Sequence, residues 1–346
     1  MDRKLRIQDV EISDSSDVFT IAEIGHNHQG SVETCEQLFL AAAKSGASAV
    51  KLQKRDNRTL FTDDFFDSPY SGPASFGPTY GLHREFLEFD LSQYKHLKMF
   101  AENLGLIFFS TAFDMKSVDF LVEVGVPVIK IASGDLKSLP LLRYATKAGV
   151  PLILSTGGAD MADVRIAMEN VNAERVGLLQ CTAAYPAEPE DMDLRVISAF
   201  REAFPHTVVG LSSHDRGIAF PVVAAALGAR IVEKHFTIDR SMQGTDHAFS
   251  LEPGGMEKMV RDMHLTLRAM GDGNKKAHES EKKGLYKMGK SIVYAKDLKS
   301  GTILSEDMLE IRSPLDGLNP QHWDSFLGKK LICDVKRQAL ADFSHI

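Results

Sequence analysis

Residues 226–235 read ALGARIVEKH. A helical stretch ends in Gly228 and an apolar run follows at once. Glycine just past a helix end takes the left-handed conformation that other residues resist. Ile231 and Val232 begin a strand with no polar face, yet Glu233, Lys234 and His235 come next. Burying ionisable groups without partners is costly, so this strand must run from a core into a polar site. The same helix–glycine–strand device recurs at KSGASAVKLQ (44–53), NLGLIFFST (103–111), EVGVPVIKIAS (123–133) and KAGVPLILST (147–156). Runs this uniformly apolar fit parallel strands covered by helices on both faces.

Three further runs, DVFTIAEIG (17–25), RVGLLQCT (175–182) and TVVGLSSH (207–214), extend the series. The strands then fall near 19–24, 48–53, 106–111, 127–132, 151–156, 176–181, 207–212 and 230–235. Helical segments lie between them, for example 92–104 and 31–45, the latter with Ser31 as N-cap. Eight βα units over about 250 residues predict an α/β protein built on a (β/α)8 TIM barrel. A doubly wound open sheet is the alternative, but no glycine-rich dinucleotide fingerprint follows the first strand.

The connection 54–91 is longer than a barrel needs, and it carries DSPYSGPASFGPTYG. Loops of that length in compact domains are usually lids or binding loops. Residues 1–270 make the barrel domain. The polar stretch GDGNKKAHESEKKG (271–284) reads as a linker, and 285–346 as a small β-rich domain.

Composition limits the function. Of the 346 residues, 44% are hydrophobic and 25% charged, as in an ordinary globular protein. The net charge of −7 offers no footprint for nucleic acid, and no apolar run reaches membrane-span length. Cys35, Cys181 and Cys333 are scattered and form no disulfide framework, and the first residues lack an apolar signal region. A reduced, cytoplasmic protein is expected.

In a TIM barrel the active site lies at the C-terminal ends of the strands, and polar residues gather there. Strand by strand they are Glu23, then Lys51 and Gln53, then Ser110 and Thr111, then Lys130, Ser133 and Asp135. Ser155 and Thr156, Tyr185, Ser212 to His214, and Glu233, His235 and Asp246 continue the circuit. A single lysine or serine of this kind is ordinarily an edge residue or a turn former. Repetition at the same end of every strand is what marks a site.

Two chemical constellations follow. Lys51 and Lys130, with Thr111, Ser133, Ser155 and Ser212, offer the charge and multiple donors that a phosphate wants. His214 and His235 end adjacent strands, so their imidazoles are placed to converge on one divalent metal with open positions for substrate. Alternation puts Glu233 and His235 on one side of the strand and Lys234 on the other. Glu233 is expected to orient His235. Lys54, Arg55 and Arg58 are expected in a solvated charged loop.

Taken together, AEIGHNHQG, KLQK, SGD, STGG, LQCTAAYP, GLSSH, EKHFT and GTDHAFSLEP resemble the sialic acid synthase family. SIVYAKDLKSGTILSEDMLEIRSP resembles that family's C-terminal antifreeze-like (SAF) domain. The resemblance implies condensation of phosphoenolpyruvate with an N-acylated mannosamine-type sugar, giving a nonulosonic acid and releasing phosphate by C–O cleavage. It implies Mn2+ or Mg2+ on His214 and His235. Phosphoenolpyruvate is implied on Lys51, Thr111, Lys130, Ser133, Ser155 and Ser212. The sugar is implied against Gln53, Asp135, Tyr185 and Asp246. Arg312 matches an arginine that reaches the acyl group from the other subunit of a domain-swapped homodimer. Asp135 stands where many bacterial members have Glu, Ala184 where some have Asn, and Ser313 separates Arg312 from Pro314. The NHQG turn, FGPTYGLHREFLEF and AYPAEPEDMDLRVIS lean toward members that use a 6-phosphorylated sugar. Contact with such a phosphate is the alternative to the solvated loop for Lys54, Arg55 and Arg58; legionaminic- and pseudaminic-type acceptors are also implied by the family.

Glu23 is the candidate for positioning or deprotonating the attacking water, and Lys51 and Lys130 for stabilising the departing phosphate. Two other readings stay open: a Schiff-base aldolase with Lys51 or Lys130 as nucleophile, and a non-enzymatic ice- or sugar-binding protein centred on the C-terminal domain.

Overall fold

The computed structural model describes residues 3–346, which divide into two compact units meeting in sequence at Gly271 and Asp272. The first opens with an antiparallel hairpin, β1 (Lys4–Ile7) and β2 (Val10–Ser13). Eight parallel strands follow: β3 (Phe19–Gly25), β4 (Ala49–Lys54), β5 (Ile107–Ala112), β6 (Ile129–Ile131), β7 (Leu152–Ser155), β8 (Val176–Cys181), β9 (Val208–Ser213) and β10 (Ile231–His235). β10 pairs with both β9 and β3, which closes the barrel. Every strand lies within two residues of its expected position.

Helices end and begin where their caps require. Ser31 accepts from the Thr34 amide to start Val32–Lys44, and Asp90 forms a capping box with Gln93 at the start of Leu91–Asn103. Apolar side chains of the strands and helices make one continuous core.

Register aligns the inward residues in layers. Lys51 lies opposite Glu23, while Thr111 pairs on one side with Gln53 and on the other with Lys130. Ser212 pairs with Cys181 and with Glu233.

The hairpin was not foreseen from sequence. Its Leu5, Ile7 and Ile12 are buried in the barrel core. Leu5 reaches Gly177 near the start of β8, where a Cβ on the glycine would meet Ile231 Cδ1 at 2.6 Å and Leu5 Cδ2 at 3.3 Å. The hairpin therefore covers the N-terminal end of the barrel.

The second unit, Asp272–Ile346, holds the antiparallel pair β11 (Ser291–Tyr294) and β12 (Leu309–Arg312) over its own core of Ile292, Tyr294, Leu304, Leu309 and Phe326. Within the polar stretch read as a linker, a helix begins at Lys282 and runs to Met288. Among the described residues, no helix is long and apolar enough to cross a membrane.

Candidate active site

The inward residues at the C-terminal ends of the strands enclose a cavity of about 520 Å³. Glu23, Lys51, Gln53, Thr111, Lys130, Ser133, Ser155, Tyr185, Ser212, His214, His235 and Asp246 all line it. Asp135 sits half-buried in the turn after β6, where Ala132, Ser133 and Gly134 reach the cavity instead. Arg312 belongs to the second unit and is ion-paired with Glu310 at 2.5 Å.

Four charges form the floor of the site. Lys51 Nζ lies 2.7 Å from Glu23 Oε2 and 3.7 Å from Glu233 Oε1, and it donates to Thr111 Oγ1 at 2.7 Å. Lys130 Nζ lies 3.9 Å from the same Glu233 oxygen and donates to the Ile131 carbonyl. Side chains at this depth lose hydration, so each charge depends on the others. The two carboxyls diverge. Burial raises Glu23 above the ordinary glutamate range against the opposing pull of Lys51, and the weaker push of the Glu233 charge adds to it. Burial also acts on Glu233, but Lys130 and then Lys51 pull it below that range. Burial lowers the Lys130 ammonium. Two carboxyls driven apart by environment are the usual mark of divided proton roles.

Glu233 therefore does not orient His235 as expected. Its carboxylate faces the two lysines and the Ser212 hydroxyl, 3.4 Å away. The acid near His235 is Asp246, with Oδ2 at 3.7 Å from Nδ1. His214 Nδ1 sits 2.8 Å from the Thr182 carbonyl, which leaves Nε2 as its free nitrogen. The His214 and His235 rings lie 5.3 Å apart, flanked by Tyr185 and Phe249. Burial pushes His235 down to about 3, and its Nδ1 has no hydrogen-bond partner. A neutral imidazole with an unsatisfied buried nitrogen is what a divalent cation requires. Among the described residues, no three His, Cys, Asp or Glu side chains converge for a metal. The residues present thus fit a cation held by two imidazoles, with its remaining positions left to water and substrate.

Lys234 points away from the cavity. Its ammonium donates to Asp215 Oδ1 at 2.7 Å and to the Asp215 carbonyl at 2.5 Å, within a fully buried outer layer. Asp215 also accepts from the Ser213 hydroxyl and the Gly217 amide.

Two wall residues escaped the sequence reading, and a third, Arg55, was expected elsewhere. Cys181 accepts from Ser133 Oγ at 3.4 Å and approaches His214 Nδ1 at 4.0 Å; its inward parity with Ser212 was the available signal. Arg84 reaches the cavity from the helix Tyr80–Phe86 in the long connection. Arg55 corrects the expectation of a solvated loop: it is buried, with its guanidinium 3.6 Å from the Phe113 ring centroid. Lys54 is half-buried against Glu88, and only Arg58 is exposed, paired with Glu85.

Residues 38–275 match the NeuB family and residues 289–346 the SAF domain. The chain belongs to the NeuB family. Among its relatives, the N-acetylneuraminate-9-phosphate synthase of Homo sapiens is 38% identical over 321 residues, spanning 92% of this chain and 89% of that protein. The N,N'-diacetyllegionaminic acid synthase of Campylobacter jejuni is 37% identical over 326 residues, spanning 92% of this chain and 97% of the relative. A crystal structure of N-acetylneuraminic acid synthetase from Leptospira borgpetersenii superposes with a TM-score of 0.72 at 29% identity, over 82% of this chain and 95% of that one. The NeuB-family barrel followed by a SAF domain is the architecture of the present chain.

Proposed function

We propose that this chain is a nonulosonic acid synthase, a transferase that joins phosphoenolpyruvate to the aldehyde carbon of an open-chain N-acyl mannosamine-type sugar. The observation that carries the reading is the pairing, in one cavity, of two buried lysines ringed by hydroxyls with two histidines at the adjacent strand ends.

Lys51 and Lys130, with Thr111, Ser133, Ser155 and Ser212, bind the phosphate and carboxylate of phosphoenolpyruvate. Ser155 Oγ is buried without a partner, so it has a hydrogen bond free for a ligand. Gln53, Tyr185 and Asp246 orient the sugar, with Asp135 at the rim. C3 of phosphoenolpyruvate attacks the sugar aldehyde, water adds at C2, and the tetrahedral intermediate loses phosphate by C–O cleavage. Glu23, held by Lys51 and by Gln53 Nε2 at 2.7 Å, takes the proton from that water. The lysines stabilise charge as phosphate leaves. His214 and His235 would hold a divalent cation, Mn2+ or Mg2+, whose chemistry there is Lewis-acid polarisation of the aldehyde oxygen. In a homodimer Arg312 is the candidate for the acyl group of a sugar bound to the partner. The three free thiols support a cytoplasmic setting.

The test is phosphate release from phosphoenolpyruvate across a panel of N-acyl sugars, with and without Mn2+ after chelation. His235→Ala is expected to abolish Mn2+ binding in titration calorimetry as well as turnover. Retained metal binding overturns the cation assignment. A borohydride-trapped pyruvate adduct with no phosphate release overturns the synthase reading in favour of a Schiff-base aldolase.

A further inference from the structure

The Gln53 side chain links two charged groups. Its Oε1 accepts from Arg55 Nη2 at 2.8 Å, and its Nε2 donates to Glu23 Oε1 at 2.7 Å. An amide has one accepting end and one donating end, and half a turn of the group exchanges them. A guanidinium has no acceptor, so Arg55 admits only the oxygen of Gln53. The amide nitrogen is thereby left for Glu23.

Both ends of this chain are fixed. Arg55 is buried, its guanidinium lies 3.6 Å from the Phe113 ring centroid, and its Nη1 lies 3.1 Å from His26 Nε2. Burial and Arg84 lower the guanidinium to about 10, with Glu88 and Asp246 among the groups opposing them, so it stays charged at neutral pH. At the other end, Gly25 has a φ of 53°, and a Cβ there would come within 3.2 Å of Glu23 Oε1 and 3.3 Å of Gln53 Nε2. The end of β3 thus lies against the hydrogen bond between them.

Glu23 has two anchors of unlike kind. Its Oε2 lies 2.7 Å from Lys51 Nζ, and Lys51 also has to serve the phosphoenolpyruvate and the departing phosphate. The anchor on Oε1 carries no such duty, because Gln53 takes its orientation from Arg55 and not from a ligand. A carboxylate held there keeps its direction while Lys51 follows the phosphate.

We infer that Arg55 is a positioning residue: by admitting only the oxygen of Gln53, it sets the amide that aims Glu23 at the water attacking C2. This rests on the synthase reading. The experiment is a double-mutant cycle of Arg55→Met with Glu23→Gln. It reads phosphate release from phosphoenolpyruvate with N-acetylmannosamine, its 6-phosphate or a 2,4-diacetamido sugar, whichever turns over fastest. In the wild-type background Arg55→Met should lower kcat about ten- to a hundredfold, the scale of a misplaced catalytic group, with the KM for phosphoenolpyruvate unchanged. In the Glu23→Gln background it should change kcat by less than about twofold, since there is no base left to aim. Arg55→Lys keeps the charge but offers a point donor in place of the fork. It should fall between wild type and Arg55→Met and show the same dependence on Glu23, and it decides the matter if Arg55→Met does not fold. Equal losses in the two backgrounds, or a loss confined to the KM for phosphoenolpyruvate, overturn the assignment and leave the synthase reading intact. No phosphate release by the wild-type enzyme with any acceptor overturns both.

Discussion

Asp215→Ala isolates what the outward-facing charge of β10 requires. In the native chain the Lys234 ammonium is fully buried and has two acceptors, both from Asp215. The substitution removes the carboxylate and keeps the carbonyl. Breaking a buried ion pair by deleting one partner costs about 3–5 kcal/mol. The surviving carbonyl places this case at the lower end, about 3 kcal/mol. At about 2–4 °C per kcal/mol for a chain of this size, the barrel transition should fall by roughly 6–12 °C. Circular dichroism melts of the wild type, Asp215→Ala, Lys234→Met and the double variant read this directly. Lys234→Met is milder, because Asp215 keeps the Ser213 hydroxyl and the Gly217 amide. The double variant should recover most of the loss, since no charge is then stranded. Acidity adds a signature. Burial already lowers the Lys234 ammonium below the ordinary lysine value, and losing Asp215 lowers it further. The folded variant then binds fewer protons than its unfolded chain, so its deficit shrinks as pH rises toward the unfolded lysine value of about 10.4. An Asp215→Ala melt within 2 °C of wild type, or a double variant no better than the single, refutes this account.

Glu23→Gln should lower kcat by about 10²–10⁴, the usual contribution of a general base. In the wild type, kcat/KM should fall with acid at a pH above the ordinary glutamate range, because burial raises Glu23 and the base must be ionised; that limb should vanish in the variant. Ser155→Ala should leave the melting temperature unchanged, because the buried hydroxyl has no partner to lose. Its KM for phosphoenolpyruvate should rise about 10- to 100-fold, as for loss of a hydrogen bond to a charged group. A KM unchanged in steady-state assays removes Ser155 from the binding set.

The barrel was legible because its signals are local. A glycine after each helix and a two-sided apolar run fix a βα unit within a dozen residues, and the polar strand ends follow from alternation. Features made by distant segments were not legible. The apolar residues of LRIQDVEI carry no mark that they will cover the barrel's end. Arg84 sits on a helix in a connection whose path no periodicity reports, and Arg55 reads as a solvated charge in sequence because Phe113 and His26 come from other loops. Alternation puts Glu233 on the cavity side, yet it meets Lys51 and Lys130 there and not His235. Parity names the side a residue faces, while its partner depends on the lengths of the side chains across the barrel.

The hairpin under Gly177 has a bearing on traffic. With that end covered, the cavity opens at one end only, with Lys51 and Lys130 at its floor and Arg84 and Asp246 among the residues lining it. Under the proposed reaction, the ligand of the lysines and its co-substrate share that one mouth, so binding of the floor ligand first is the kinetic order to expect.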